Sequence, residues 1–89
     1  MSVTLTVLFF ARMSELCGGN RSDTFTFDSA AGDACTVGAL KRAVAERYPR
    51  AAGLLGASLV ALNHEYVDDD ARALTATDEV AIIPPISGG

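Results

Sequence analysis

Eighty-nine residues, 49% of them hydrophobic and 20% charged, suit one domain around one core and leave no room for a second domain or a large enclosed active site. The net charge is −4 and only one of the seven basic residues, Lys41, is a lysine, so the basic face that nucleic acid demands is disfavoured. No apolar run approaches the roughly 20 residues that span a bilayer, and Met1-Ser2-Val3-Thr4-Leu5 lacks the charged start of a signal peptide, so the expected place is the cytoplasm, with no membrane partner.

The first element is a strand over residues 3–10, where Val3, Leu5, Val7 and Phe9 share one face and Thr4 and Thr6 the other. Residues 11–16 suit a short helix that stops at Gly18-Gly19 with a left-handed cap. No Gly-Lys-Ser/Thr follows those glycines, so they are not a phosphate loop. Residues 23–28 alternate again, with Phe25 and Phe27 inward and Thr24 and Thr26 outward, as a hairpin partner of the first strand would.

Thr36 is placed to cap a helix whose apolar residues Val37, Leu40, Val44 and Tyr48 recur at helical spacing, although Ala39 leaves the capping box incomplete. Pro49 ends it, because the residue before a proline is driven out of the helical region. A loose turn over residues 51–55 leads to strands at 59–62, 65–67 and 79–83, separated by turns at Asp68-Asp69-Asp70 and Thr77-Asp78. One amphipathic helix must then cover one face of a mixed sheet of about five strands. The class is α+β, with the first and last strands central and parallel: a β-grasp, or ubiquitin-like, roll over residues 1–83, with 84–89 as an extended, flexible Gly-Gly tail.

No catalytic set emerges from the domain. His64 has no second histidine one helical turn away, and the aspartate run lacks the alternating acids and glycine of a calcium loop, so both read as solvated surface and no metal is expected. Ser58 and Ser87 lie in no nucleophile elbow. Cys17 and Cys35 have no zinc spacing and read as reduced structural thiols.

The informative segment is Pro84-Pro85-Ile86-Ser87-Gly88-Gly89. Two prolines donate no amide hydrogen, so they end the sheet ladder and favour an extended course away from it. The four residues beyond reach up to about 13 Å, and two glycines pass through a channel too narrow for any side chain. The pattern suits delivery of a chain terminus into another protein's active site. A frayed, idle tail is the plainer alternative.

Three stretches lie at the start, the late middle and the end of the chain, with the helix fitting between: Val7-Leu8-Phe9-Phe10-Ala11-Arg12 with Glu15-Leu16, then Leu62-Asn63-His64-Glu65-Tyr66-Val67, then Asp78-Glu79-Val80-Ala81-Ile82-Ile83 running into the diproline ending. Together they resemble the small subunits of molybdopterin synthase, a family of ubiquitin-like sulfur carriers; Thr77 stands where that family often has glycine. The resemblance implies a protein that is not catalytic alone and binds no cofactor of its own. A ubiquitin-activating-type enzyme would use ATP to adenylate Gly89, and a persulfide donor would convert the acyl adenylate to a thiocarboxylate. Pro84, Pro85, Ile86, Ser87 and Gly88 would thread that group into the large subunit of a heterotetrameric synthase. There cyclic pyranopterin monophosphate would receive the sulfurs of its dithiolene.

The resemblance also places Phe10, Tyr66 and Ile83 on an apolar docking surface, against the plainer reading of ordinary packing. Two other functions stay open: a sulfur carrier for thiazole, cysteine or tRNA thiolation, and a protein modifier joined through Gly89 to lysines of its targets.

Overall fold

In a computed structural model, residues 2–32 and 34–85 are described. Strand β1 (Ser2–Phe9) is followed by helix α1 (Arg12–Leu16) and strand β2 (Ser22–Asp28). Helix α2 (Val37–Arg47), a 3-10 turn at Pro49–Ala51 and the short helix α3 (Ala52–Leu55) come next. Strands β3 (Leu59–Leu62), β4 (Glu65–Val67) and β5 (Val80–Ile83) complete the order.

The five strands form one sheet in the order β2-β1-β5-β3-β4. β1 runs parallel to β5 and antiparallel to β2, and β3 runs antiparallel to both β4 and β5. The parallel pair cannot be joined by a hairpin, and the chain between its strands carries α2 across one face of the sheet. This is the β-grasp roll expected from the sequence.

The core lies between α2 and that face. Leu5, Val7 and Phe9 of β1, Phe25 and Phe27 of β2, and Val80 and Ile82 of β5 meet Val37, Leu40 and Val44 of α2, all buried. Each such side chain stabilises the fold by roughly 1.5–3 kcal/mol on leaving water. Thr36 caps α2 as its position suggests, its Oγ1 accepting from the Ala39 N–H at 3.2 Å. At the other end, Tyr48 sets its ring edge-on to Phe9 at 5.9 Å, and the Arg47 guanidinium lies 4.0 Å from the Phe25 ring centroid.

The corners are specific. Gly18 and Gly19 both adopt positive φ after α1, and the Gly19 N–H reaches back to the Ser14 carbonyl at 2.9 Å, closing the left-handed cap. Between β1 and α1 the backbone turns through Ala11 at φ 51°, a region costly for a residue with a Cβ. The aspartate run is exposed, as expected, and the segment around Asp70 has a further role. The Asp70 carbonyl accepts from the Gly38 N–H at 2.9 Å, the Arg72 carbonyl accepts from the Val37 N–H at 3.0 Å, and the Asp70 carboxylate lies 3.0 Å from the Lys41 Nζ. It therefore satisfies the free amides of the first turn of α2. β5 begins at Val80, one residue later than expected, because the Glu79 backbone is engaged by Asn63.

Candidate functional site

Strand alternation decides what the uncovered face of the sheet displays. With Leu5, Val7 and Phe9 turned inward, Thr4, Thr6 and Leu8 face outward, and Phe10 continues that side just past the end of β1. On β3 and β5 the outward positions are Leu59 and Ala61, and Ala81 and Ile83. The register aligns them into rows. Leu8 sits opposite Ala81, Ala81 opposite Ala61, and Ala61 opposite Tyr66, while Leu59 sits opposite Ile83.

A shallow groove of about 260 Å³ results, lined by Leu8, Phe10, Ala61, His64, Tyr66, Glu79, Ala81 and Ile83. Its form follows from side-chain size. Two adjacent alanines make a low floor, and Phe10 and Tyr66 are the large rings at its border. His64 Nε2 and Glu79 Oε2 also border it, 3.7 Å apart.

Among the described residues the exposed large hydrophobics are Phe10, Leu59 and Tyr66, at 46%, 50% and 70% exposure, and all three fall on this half of this face. The half toward β2 carries the exposed threonines Thr4, Thr6, Thr24 and Thr26, with Thr4 and Thr26 bonded at 3.0 Å. The exposed apolar side chains are thus gathered in one place rather than scattered over the surface. Phe10, Tyr66 and Ile83, named from the sequence, are thus brought to one groove: the two rings stand out to solvent and Ile83 is half-buried. Leu8, Leu59, Ala61 and Ala81 were missed. Their signal was the period-2 alternation itself, which sets them opposite the core residues.

The groove adjoins the strand that leads to the C-terminal segment. β5 ends at Ile83, Pro84 is still buried against the domain, and Pro85 is exposed. Ile86, Ser87, Gly88 and Gly89 lie outside the described residues.

Among the described residues no cluster of three or more His, Cys, Asp or Glu could hold a metal ion, and no helix is long and apolar enough to cross a membrane. Cys17 is buried and Cys35 half-buried, both are free thiols, and burial pushes both thiols up from their ordinary range. The perturbed carboxyls serve structure. Asp78 is held below the usual range by the Asn63 amide and the Thr75 N–H, and Asp23 by the Tyr48 hydroxyl and then by the Thr24 N–H and Arg47.

Residues 7–89 match the ThiS family, which takes in both the groove and the Gly-Gly end. The chain belongs to this family. Among its relatives, a molybdopterin synthase sulfur carrier subunit from Escherichia coli (strain K12) is 40% identical, over 93% of this chain and 96% of its own length. One of the same name from Dictyostelium discoideum is 37% identical over the full length of both. The crystal structure of SAMP1 from Haloferax volcanii shares 26% identity with a TM-score of 0.79, over 97% of this ThiS-family chain and 99% of its own. A structure described as a complex of subunits 1 and 2 of the molybdopterin-converting factor from Helicobacter pylori has the same fold, with 24% identity, a TM-score of 0.64, and 98% and 100% coverage.

Proposed function

We propose that this ThiS-family chain is a sulfur carrier of molybdenum cofactor biosynthesis, acting as the small subunit of molybdopterin synthase. The observation that carries this is the junction of two features in one family match over residues 7–89. The sole apolar cluster on the outer face, among the described residues, adjoins the strand leading to the tail, and the match continues through Gly89. Relatives of near-identical length bear the sulfur-carrier name.

The chemistry falls to Gly89. A carboxylate is a poor acyl donor because its oxygen is a poor leaving group. On a ubiquitin-activating-type enzyme the carboxylate oxygen attacks the α-phosphorus of ATP, releasing pyrophosphate and making AMP the leaving group. The outer sulfur of a persulfide then displaces AMP to give an acyl disulfide, and a second thiol cleaves its S–S bond, leaving a disulfide and releasing the thiocarboxylate. The terminal sulfur is more nucleophilic than the oxygen it replaced. Pro84 and Pro85 restrict the chain after β5, and Pro84, Pro85, Ile86, Ser87 and Gly88 together carry Gly89 into the partner, glycine suiting a narrow channel. In the large subunit, two such deliveries convert cyclic pyranopterin monophosphate to the dithiolene. Phe10, Tyr66 and Ile83 provide the reversible grip on both partners, and all of this takes place in the cytoplasm.

Intact-mass measurement of the protein after incubation with its activating enzyme, ATP and a sulfur donor tests the reading. A species heavier by the sulfur-for-oxygen difference, mapped to Gly89, is expected, and deletion of Gly89 should abolish both it and dithiolene formation. Full synthase activity from the deleted protein would overturn the proposal. Gly-Gly remnants on lysines of other proteins, without thiocarboxylate, would instead identify a modifier.

A further inference from the structure

The turn between β3 and β4 consists of Asn63 at φ 53° and His64 at φ 72°. Two successive positive φ values are what a two-residue hairpin turn of the primed type requires, and asparagine tolerates the first of them better than other residues with a Cβ. Asn63 does more than turn the chain. Its N–H donates to the Glu79 carbonyl at 2.8 Å, its Oδ1 accepts from the Glu79 N–H at 2.9 Å, and its Nδ2 donates to Asp78 Oδ1 at 2.9 Å. The other Asp78 oxygen accepts from the Thr75 N–H at 2.7 Å, so the carboxylate is fixed before the amide reaches it.

These bonds tie the hairpin to the two residues that feed the central strand β5. The hairpin needs the tie. β4 is three residues long and stands at the end of the sheet, paired only with β3. An edge strand so short opens readily unless something holds its turn. Yet β4 carries Tyr66, more exposed than Phe10, the groove's other large apolar ring, while Glu79 borders the groove itself.

We infer that Asn63 is the positioning residue of the docking face, locking the β3–β4 hairpin to β5 so that Tyr66 stands preformed for the partner. This rests on the reading that the groove docks the synthase large subunit. If the hairpin populates its competent position only part of the time, apparent affinity falls by that fraction.

The test uses three variants of the full chain, with affinity for the purified large subunit and backbone amide exchange at Glu65–Val67 of the free protein. Asn63→Gly keeps the positive φ and removes both side-chain bonds. Asn63→Asp keeps an acceptor for the Glu79 N–H but sets a carboxylate against Asp78. Asn63→Asp combined with Asp78→Asn restores the full set with donor and acceptor exchanged. Binding weaker by about tenfold and faster exchange in β4 are expected for both single variants, with recovery to within about twofold in the double variant. Wild-type affinity and exchange in Asn63→Gly, in a wild-type chain that does bind, would overturn the role of Asn63 alone. A wild-type chain that does not bind the large subunit would overturn the docking reading, and this inference with it.

Discussion

The hydroxyl of Tyr48 donates to the carboxylate of Asp23, joining the residue that ends α2 to β2 across 25 positions of chain. Asn20 Nδ2 donates to the same hydroxyl at 3.2 Å, and Arg47 Nη1 lies 3.2 Å from Asp23 Oδ2 and donates to the Thr24 carbonyl at 2.6 Å. The helix that covers the core is thus fastened at its far end to an edge strand by polar bonds at the rim of the apolar interior.

That clasp makes the fold acid-sensitive in a definite sense. The Tyr48 hydroxyl bond is the main cause holding the Asp23 carboxyl below its ordinary value of 3.8. The contribution is therefore complete above that value and is lost as pH falls through the lower folded-state value. Tyr48→Phe keeps the ring against Phe9 and removes the bond, at a cost of about 1 kcal/mol near neutral pH. Urea unfolding should show that deficit shrinking as the pH is lowered beneath the ordinary carboxyl value of 3.8 and through the lower folded-state value. The tyrosine shift has the opposite sense: the Asp23 bond raises it from 10.0, so its share disappears as pH rises through the folded-state value. A deficit independent of pH would place the stabilisation in packing instead.

Much of the architecture was legible because periodicity reports burial directly. Leu5, Val7 and Phe9 at period two, and Val37, Leu40 and Val44 at helical spacing, announced which faces meet, and Thr36 announced where α2 begins. Periodicity does not report what lies opposite a polar atom. Tyr48 read as one more apolar helix residue, the aspartate run as solvated surface and nothing more, and Asn63 only as part of a stretch shared with a family. Each acquires its bonds from a segment distant in the chain. Phe10, Tyr66 and Ile83 could be named one by one, but only the pairing of β5 between β1 and β3 brings them into a single groove.

Gly38 provides a second test, because its context reverses a general rule. Gly38 is the second residue of α2, and replacing a helical glycine by alanine ordinarily stabilises by up to roughly 0.5–1 kcal/mol. A Cβ at Gly38, however, would lie 3.1 Å from the Asp70 Cβ and 3.2 Å from the Asp70 carbonyl oxygen. The Asp70 segment has little freedom to retreat, held by the Gly38 and Val37 amides and by Lys41. Gly38→Ala should therefore lower the unfolding midpoint, and a gain of stability would show that the segment yields.

The two thiols should differ in reactivity despite sharing the direction of their shift. Burial pushes both up, which depletes the thiolate that reacts. Cys17 is fully enclosed in the core, whereas Cys35 is only half-buried. Timed alkylation of the native protein followed by peptide mapping should label Cys35 first, with Cys17 modified only on unfolding. Equal labelling would mean that α1 opens far more often than its packing allows.

The two halves of the outer face allow docking to be separated from folding. Tyr66 is 70% exposed, so Tyr66→Ala should change stability by no more than about 0.5 kcal/mol. If the groove is the grip on the synthase large subunit, the same change removes a ring from its border, and affinity should fall by at least about tenfold, as truncation of an aromatic anchor does. Thr6→Ala is the internal control. It is exposed on the threonine half of the same face, next to the groove but not among its lining residues, and should bind as the wild type does. Calorimetric titration of the three proteins distinguishes the outcomes: undiminished binding by Tyr66→Ala would remove the groove from the interface, and a matching loss in Thr6→Ala would spread the contact over the whole face.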